Sequence, residues 1–334
     1  MAKKRNVKTD MADKLQDIFV SLVMVTNEDT HDLAVVLREM QEDLAKTYTN
    51  YEIIVVANGL IEKEAIDVVN LLDVIPCVRL IRLSYKTQYD TALFAGLEAA
   101  IGDYTVTFNP DLDGIESIAG IVKMNKKFDI VQGVSSVPLR GLLGTQIGRR
   151  MFYWYNRKYV GVNIPVNATY FAAYSRRAVN ALTSLGRSLR HIRHISRLVG
   201  YEVENYTYTP KQNPSRQRSL RTGVIEALEI ITSYSSHPLR FVTWLGVFAG
   251  FINLLFGAYV VMLNVLGVRV VEGWTTTSLQ LSAMFFFLFL ILVVLAEYIG
   301  RIMTEARKDP SYFVADELTS TVALADADRR NISR

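Results

Sequence analysis

Tyr51-Glu52-Ile53-Ile54-Val55-Val56-Ala57-Asn58-Gly59 runs through apolar and β-branched residues almost without a break, then stops at a polar Asn-Gly pair. A strand that is apolar at successive positions, and not merely at alternate ones, is buried on both faces. Four further runs share this character: Phe19–Thr26, Val78–Ser84, Tyr104–Pro110 and Asp129–Ser135. Helical patterns fill the intervals, at about 30–47, 62–73, 88–101 and 115–127. This alternation predicts an α/β domain with a mostly parallel sheet covered on both faces. Ligands of such sheets sit beyond the carboxyl ends of the strands. Those ends are Thr26-Asn27-Glu28, Ala57-Asn58-Gly59, Ser84-Tyr85-Lys86 and Asn109-Pro110-Asp111-Leu112-Asp113. Neither G-x-G-x-x-G nor a Walker A sequence occurs, so dinucleotide and P-loop binding have no motif support.

The 334-residue chain is 50% hydrophobic, and the excess is concentrated. No charge interrupts Phe241–Val268 or Gly273–Ala296. Both runs exceed the roughly 20 apolar residues that cross a bilayer. A transmembrane hairpin is expected over 239–303, with spans at about 241–265 and 276–299. Arg216, Arg218, Arg221 and Arg240 precede it, and Arg301, Arg307 and Lys308 follow it. The intervening loop carries only Arg269 and Glu272, which places both ends on the cytoplasmic side of a cell membrane. Residues 1–17 are polar with no apolar core, unlike a signal peptide, so the domain at 18–210 is expected to stay cytosolic. Residues 304–334 read as a polar tail, disordered from about Asp316. Cys77 is the single cysteine, so no internal disulfide can form.

Between Asp129 and Glu202 there is no acidic residue, while Lys and Arg recur from Arg140 to Arg197. One sign of charge beside a membrane hairpin implies an anionic partner such as lipid headgroups or a pyrophosphate. Nucleic acid has no supporting motif. Residues 146–160 mix Met151, Trp154, Tyr155 and Tyr159 with Arg149, Arg150, Arg157 and Lys158, the pattern of a helix in the headgroup layer. The plain alternative is a surface helix with an aromatic core face. A basic loop and a second such helix, at about 219–235, occupy 211–238. His191 and His194, with no acidic residue near them in sequence, read as part of a solvated basic helix.

The order of these features resembles family 2 polyprenyl-phosphate glycosyltransferases, the group that includes dolichyl-phosphate mannose synthase and the bactoprenol glucosyltransferases. The resemblance spans roughly Phe19 to Tyr312 and rests on Tyr51–Val56, Arg79–Ser84 and Ala92-Leu93-Phe94-Ala95-Gly96-Leu97. Pro238-Leu239-Arg240, Gly273-Trp274-Thr275 and Glu297–Ile302 extend it through the hairpin. It implies a GT-A (nucleotide-diphospho-sugar transferase) fold that moves a sugar from a nucleotide-sugar to an undecaprenyl or dolichyl phosphate. Inversion, a divalent metal on the donor pyrophosphate and a homo-oligomer, a tetramer in bacterial relatives, come with it.

Site residues carry over position by position. The family's Asp-Ala-Asp-Leu-Gln metal stretch is Asn109–Asp113 here, so Asn109, Asp111 and Asp113 are the expected Mg²⁺ or Mn²⁺ ligands. Asp111 and Asp113 are the expected catalytic carboxylates. An Asp- and Pro-rich surface turn is the bland alternative. Asn27, Glu28, Asn58 and Asn109 fall on donor-binding positions. Arg150, Ser215, Arg216 and Arg218 fall on the cationic positions for the acceptor phosphate or the pyrophosphate, and anchoring to anionic lipid is the alternative.

Departures are numerous. The family's Val-Asp-Asp-Gly-Ser is Val56-Ala57-Asn58-Gly59-Leu60, which removes the carboxylate that accepts from the base. Arg-Asn-Phe-Gly-Lys is Tyr85-Lys86-Thr87-Gln88-Tyr89, and Asp-Phe-Arg is Tyr170-Phe171-Ala172. An arginine after the fifth strand is Ser135. Two readings follow: an active transferase with altered donor recognition, or a pseudo-glycosyltransferase that serves as a membrane scaffold or regulator.

Overall fold

The computed structural model describes residues 15–26, 33–59, 69–137, 150–151, 153–161, 163–184, 191–211, 237–266, 273–307 and 312–320. The chain forms two compact units. One comprises residues 1–146, 162–217 and 310–334; the other comprises 147–161 and 218–309.

The first unit is an eight-stranded sheet in the order β7-β5-β6-β4-β1-β2-β3-β8. Its strands are β1 (Gln16–Thr26), β2 (Tyr48–Ala57), β3 (Val78–Leu83), β4 (Tyr104–Phe108), β5 (Ile130–Ser135), β6 (Ala168–Ser175), β7 (Val203–Tyr208) and β8 (Val314–Thr319). The pairs β1–β2, β2–β3, β1–β4 and β5–β7 are parallel, while β6 runs antiparallel between β4 and β5. All five expected strands are present.

Helices cover both faces because the strands are apolar on both. Val20, Leu22 and Met24 of β1 join a core with Leu37, Met40 and Leu44 of α1 (Leu33–Thr47) and Ile118, Ile121 and Val122 of α3 (Glu116–Asn125). Val23 points the other way, against α2 (Tyr89–Ala99), which also packs on α4 (Arg176–Ser184). There, Gly96 is required: a Cβ would lie 2.3 Å from Val23 Cγ1 and 3.0 Å from Val56 Cγ2. The Ala92–Leu97 stretch that carries the family resemblance is therefore a packing signature.

At the amino-terminal edge of the sheet lies Glu52, fully buried. Its carboxylate accepts from Ser21 Oγ at 2.5 Å, Ile101 N at 2.8 Å and Arg79 Nη1 at 2.8 Å. Arg79 also donates to Ala99 O at 2.9 Å and to Glu317 Oε1 on β8 at 2.5 Å. Arg82 pairs with Asp316. These ion pairs correct the expected polar tail. Residues 314–319 close the sheet antiparallel to β3, with Arg79 opposite Thr319 and Arg82 opposite Asp316.

The second unit holds α6 (His237–Val265) and α7 (Trp274–Arg307), which pack against each other. Within them, Leu239–Tyr259 and Leu279–Gly300 are long and apolar enough to cross a membrane. Gln280 Nε2 donates to Asn253 Oδ1 at 2.8 Å, a polar tie between the two helices. The helix expected at 146–160 is described from Arg150 and ends in a π-helical turn, Asn156–Val160, that stops at Gly161 with φ of 75°. Met151, Trp154 and Tyr159 are exposed, and Lys158 Nζ lies 5.1 Å from the Trp154 ring. The helix expected at 219–235 lies outside the described residues.

Arg79→Met would strand the Glu52 carboxylate and should cost about 3 kcal/mol or more. Glu317→Gln, on a half-exposed partner, should cost less than about 1 kcal/mol. Thermal unfolding of the detergent-solubilised full chain checks this, and equal losses would contradict it.

Candidate active site

The strand register brings the carboxyl ends together. Thr26 pairs with Ala57, Ala57 with Arg82, and Met24 with Phe108, so the loop after β4 opens beside the ends of β1 and β2. Antiparallel β6 begins at this edge, with Thr107 opposite Ala172, and β7 ends there, with Tyr208 opposite Ser135.

The loop Asn109–Asp113 is a tight turn built by its own residues. Pro110 fixes φ, Leu112 N donates to Asn109 O at 3.1 Å, and Asp113 N donates to the same carbonyl at 2.8 Å. Asn109 Oδ1 accepts from Asp111 N at 3.0 Å, an Asx turn. The two aspartates are thereby parted. Asp111 is exposed. Asp113 is 1% exposed, and both its oxygens are engaged: Oδ2 accepts from Asn109 N at 2.8 Å, and Oδ1 accepts from the Tyr208 hydroxyl. Burial pushes the Asp113 carboxyl up to about 6, against the lowering by Tyr208, the Asn109 amide and Lys211.

That geometry separates the three expected metal ligands by exposure. An exposed carboxylate on Asp111 and an amide oxygen with a spare lone pair on Asn109 suit a hard divalent cation that completes its shell with phosphate oxygens and water. Asp113 is less available to a cation, because it is buried and each of its oxygens already accepts a hydrogen bond. Among the described residues, no three His, Cys, Asp or Glu side chains gather into a metal cage.

Asn58, expected at the donor, lies just past the end of β2. It is buried, Oδ1 accepts from Thr87 N at 2.8 Å, and Nδ2 donates to Thr87 O at 3.1 Å. Both ends of the amide thus hold the loop between β3 and α2. Gly59, at φ of 74°, lets that loop approach: a Cβ would sit 2.6 Å from Lys86 Cβ. Arg150 is exposed on its helix in the second unit. Asn27, Glu28, Ser215, Arg216 and Arg218 lie outside the described residues.

Sequence reasoning missed a cluster on the opposite flank of the loop. Tyr170 Oη donates to Asp90 Oδ2 at 2.6 Å, and Asp90 Oδ1 accepts from Ile192 N at 3.0 Å. This ties the start of α2 to β6 and to α5 (Ile192–Leu198). The Arg193 guanidinium lies 4.4 Å from the Tyr170 ring centroid, and the Tyr89 ring packs against Tyr170 in a tilted contact with centroids 4.8 Å apart. His191 and His194 are buried, which corrects the solvated helix expected there. The signal overlooked is Asp90, a carboxylate 102 residues before Ile192 in the chain.

Residues 21–183 match the Glycosyl transferase family 2 model. The matched span runs from within β1 to beyond β6 and holds the acidic loop after β4. Residues 21–183 therefore carry a family 2 glycosyl transferase domain. The chain is 25% identical to an uncharacterized glycosyltransferase of Synechocystis sp., over 90% of this chain and 95% of that one. It is 28% identical to the bactoprenol glucosyl transferase of Shigella phage SfV, over 84% of this chain and 92% of that one. A solved structure of glucosyl-3-phosphoglycerate synthase from Mycobacterium tuberculosis aligns with a TM-score of 0.45 and 15% identity, over 64% of this chain and 78% of that one.

Burial, then the charge of Arg193 and then His191, push His194 down to about 3 from 6.5. A depressed folded value means that the neutral form supports the fold. Its contribution is complete above the unfolded pKa and is lost as pH falls from about 6.5 towards 3. By pH 5 the loss should reach about 2 kcal/mol. His194→Gln should therefore flatten the fall in Tm between pH 7 and pH 5, and parallel curves for the two proteins would contradict this.

Proposed function

We propose that this protein is a membrane glycosyltransferase that moves a sugar from a nucleotide-sugar to a polyprenyl phosphate. The observation that carries this reading is the Asn109–Asp113 loop, which presents Asp111 outward at the carboxyl edge of a family 2 domain. The bactoprenol-directed relative and the two bilayer-length helices support the lipid acceptor. Multi-pass placement in the cell membrane, a cytoplasmic catalytic domain and a homo-oligomer, a tetramer by resemblance, belong to the same reading.

The chemistry asks little of a protein base. A phosphate monoester has a second pKa of about 6, so the acceptor is already an anion near neutral pH. Catalysis then rests on alignment and on neutralising the departing nucleoside diphosphate. Asp111 and Asn109 would hold Mg²⁺ or Mn²⁺, which when bound supplies positive charge to the donor pyrophosphate. Asp113 keeps that loop in shape from beneath. Asn27 and Glu28 are assigned to the donor. Arg150, Ser215, Arg216 and Arg218 are assigned to the acceptor phosphate or pyrophosphate, as charge-assisted donors. In-line attack on the sugar opposite the leaving group gives inversion.

A second reading, a catalytically impaired scaffold or regulator, is favoured by one specific observation. The base-reading carboxylate is Ala57, 2% exposed, and neighbouring Asn58 is occupied by Thr87. Purified full chain incubated with a panel of nucleotide-sugars, Mn²⁺ or Mg²⁺ and undecaprenyl phosphate separates the two. The transferase reading expects one glycolipid product. Absence of product across the panel, with nucleotide binding intact, would favour the impaired protein.

A further inference from the structure

α2 opens with Tyr89, whose hydroxyl is enclosed by protein yet meets no hydrogen-bond partner among the described residues. Buried hydroxyls are nearly always bonded, because an unmet one forfeits its hydration. The ring is also held in place. It packs against the Tyr170 ring in a tilted contact, 4.8 Å between centroids and 59° between planes. Tyr170 is fixed in turn by Asp90 at 2.6 Å and by the Arg193 guanidinium 4.4 Å from its ring centroid. A hydroxyl that is oriented this firmly and left unbonded is poised for something that arrives.

Its surroundings define what can arrive. After burial, Asp113 is the largest influence that drives the Tyr89 phenol well above its ordinary value, followed by Tyr170, Asp90 and Asp111. The group is therefore neutral and donates. It sits within electrostatic range of both aspartates of the β4 loop.

We propose that Tyr89 is a donor-binding residue whose O–H donates to an acceptor oxygen of the nucleotide-sugar, either on the diphosphate or on the sugar. This rests on the transferase reading above. Asp111 and Tyr89 then approach the same ligand from two elements, the loop after β4 and the start of α2. Specificity follows: a neutral donor at this position tolerates a sugar oxygen as well as a phosphate oxygen, whereas a lysine favours the anion.

The test compares wild type with Tyr89→Phe, full chain in detergent, by calorimetric titration with UDP, GDP, UDP-glucose and GDP-mannose in MnCl₂. The variant should bind about tenfold or more weakly. Equal loss for nucleoside diphosphate and nucleotide-sugar assigns the bond to a phosphate oxygen, and loss for the nucleotide-sugar alone assigns it to the sugar. The ligand-free variant should melt no lower than wild type. Unchanged affinities overturn this inference alone. So does a lower melting temperature without ligand, because the hydroxyl would then already be bonded within the protein. A wild type that binds none of the four ligands overturns both the transferase reading and this inference.

Discussion

The buried carboxylate of Glu52 is the constraint on which the rest of this molecule depends. A charge with no exposure must be matched at short range or it opposes folding. The match comes from Ser21 on β1, Arg79 on β3 and the Ile101 amide after α2. Three strands and one helix end are thereby fixed at the amino-terminal edge. Arg79 carries the constraint outward to Glu317, and Arg176 adds to it by donating to Ala100 O at 2.8 Å and Gly102 O at 2.9 Å beyond the end of α2. With this base locked, the opposite edge can hold polar loops without loss of register.

At that opposite edge the loop after β4 divides its acidic residues by direction. Asp113 turns inward and is held by Tyr208 and a backbone amide; Asp111 turns outward. One serves the shape of the turn and the other faces solvent. Beside them, Asn58 gives up both ends of its amide to hold the Thr87 segment, and the Asp90–Tyr170–Arg193 group fixes the start of α2. The scaffold of a family 2 domain is thus held at this edge by bonds among Asn58, Thr87, Asp90 and Tyr170.

Much of this was legible in the sequence because it is local. Apolar runs at successive positions mark β1 to β5, and two charge-free stretches mark α6 and α7. What was not legible depends on pairing across the chain. Val314–Thr319 carries Asp316 and Glu317 and reads as a solvated tail, yet it is an edge strand whose charges meet Arg82 and Arg79. Charged edges of this kind are how sheets end without aggregating, and here the partners are 234 and 238 residues apart. The inward turn of Asp113 depends on Tyr208, 95 residues later, and the burial of His194 on a helix that Asp90 anchors. Position in a motif placed the acidic loop correctly, but only the folded chain could say which carboxylate faces out.

The division between Asp111 and Asp113 is tested most directly by Mn²⁺-dependent binding of UDP and GDP to the purified chain, comparing Asp111→Asn with Asp113→Asn. The account predicts that Asp111→Asn abolishes the Mn²⁺ dependence while the protein melts as wild type does. Asp113→Asn should retain Mn²⁺-dependent binding and alter the melting temperature. The reverse pattern, with metal dependence lost at Asp113 and kept at Asp111, would contradict it.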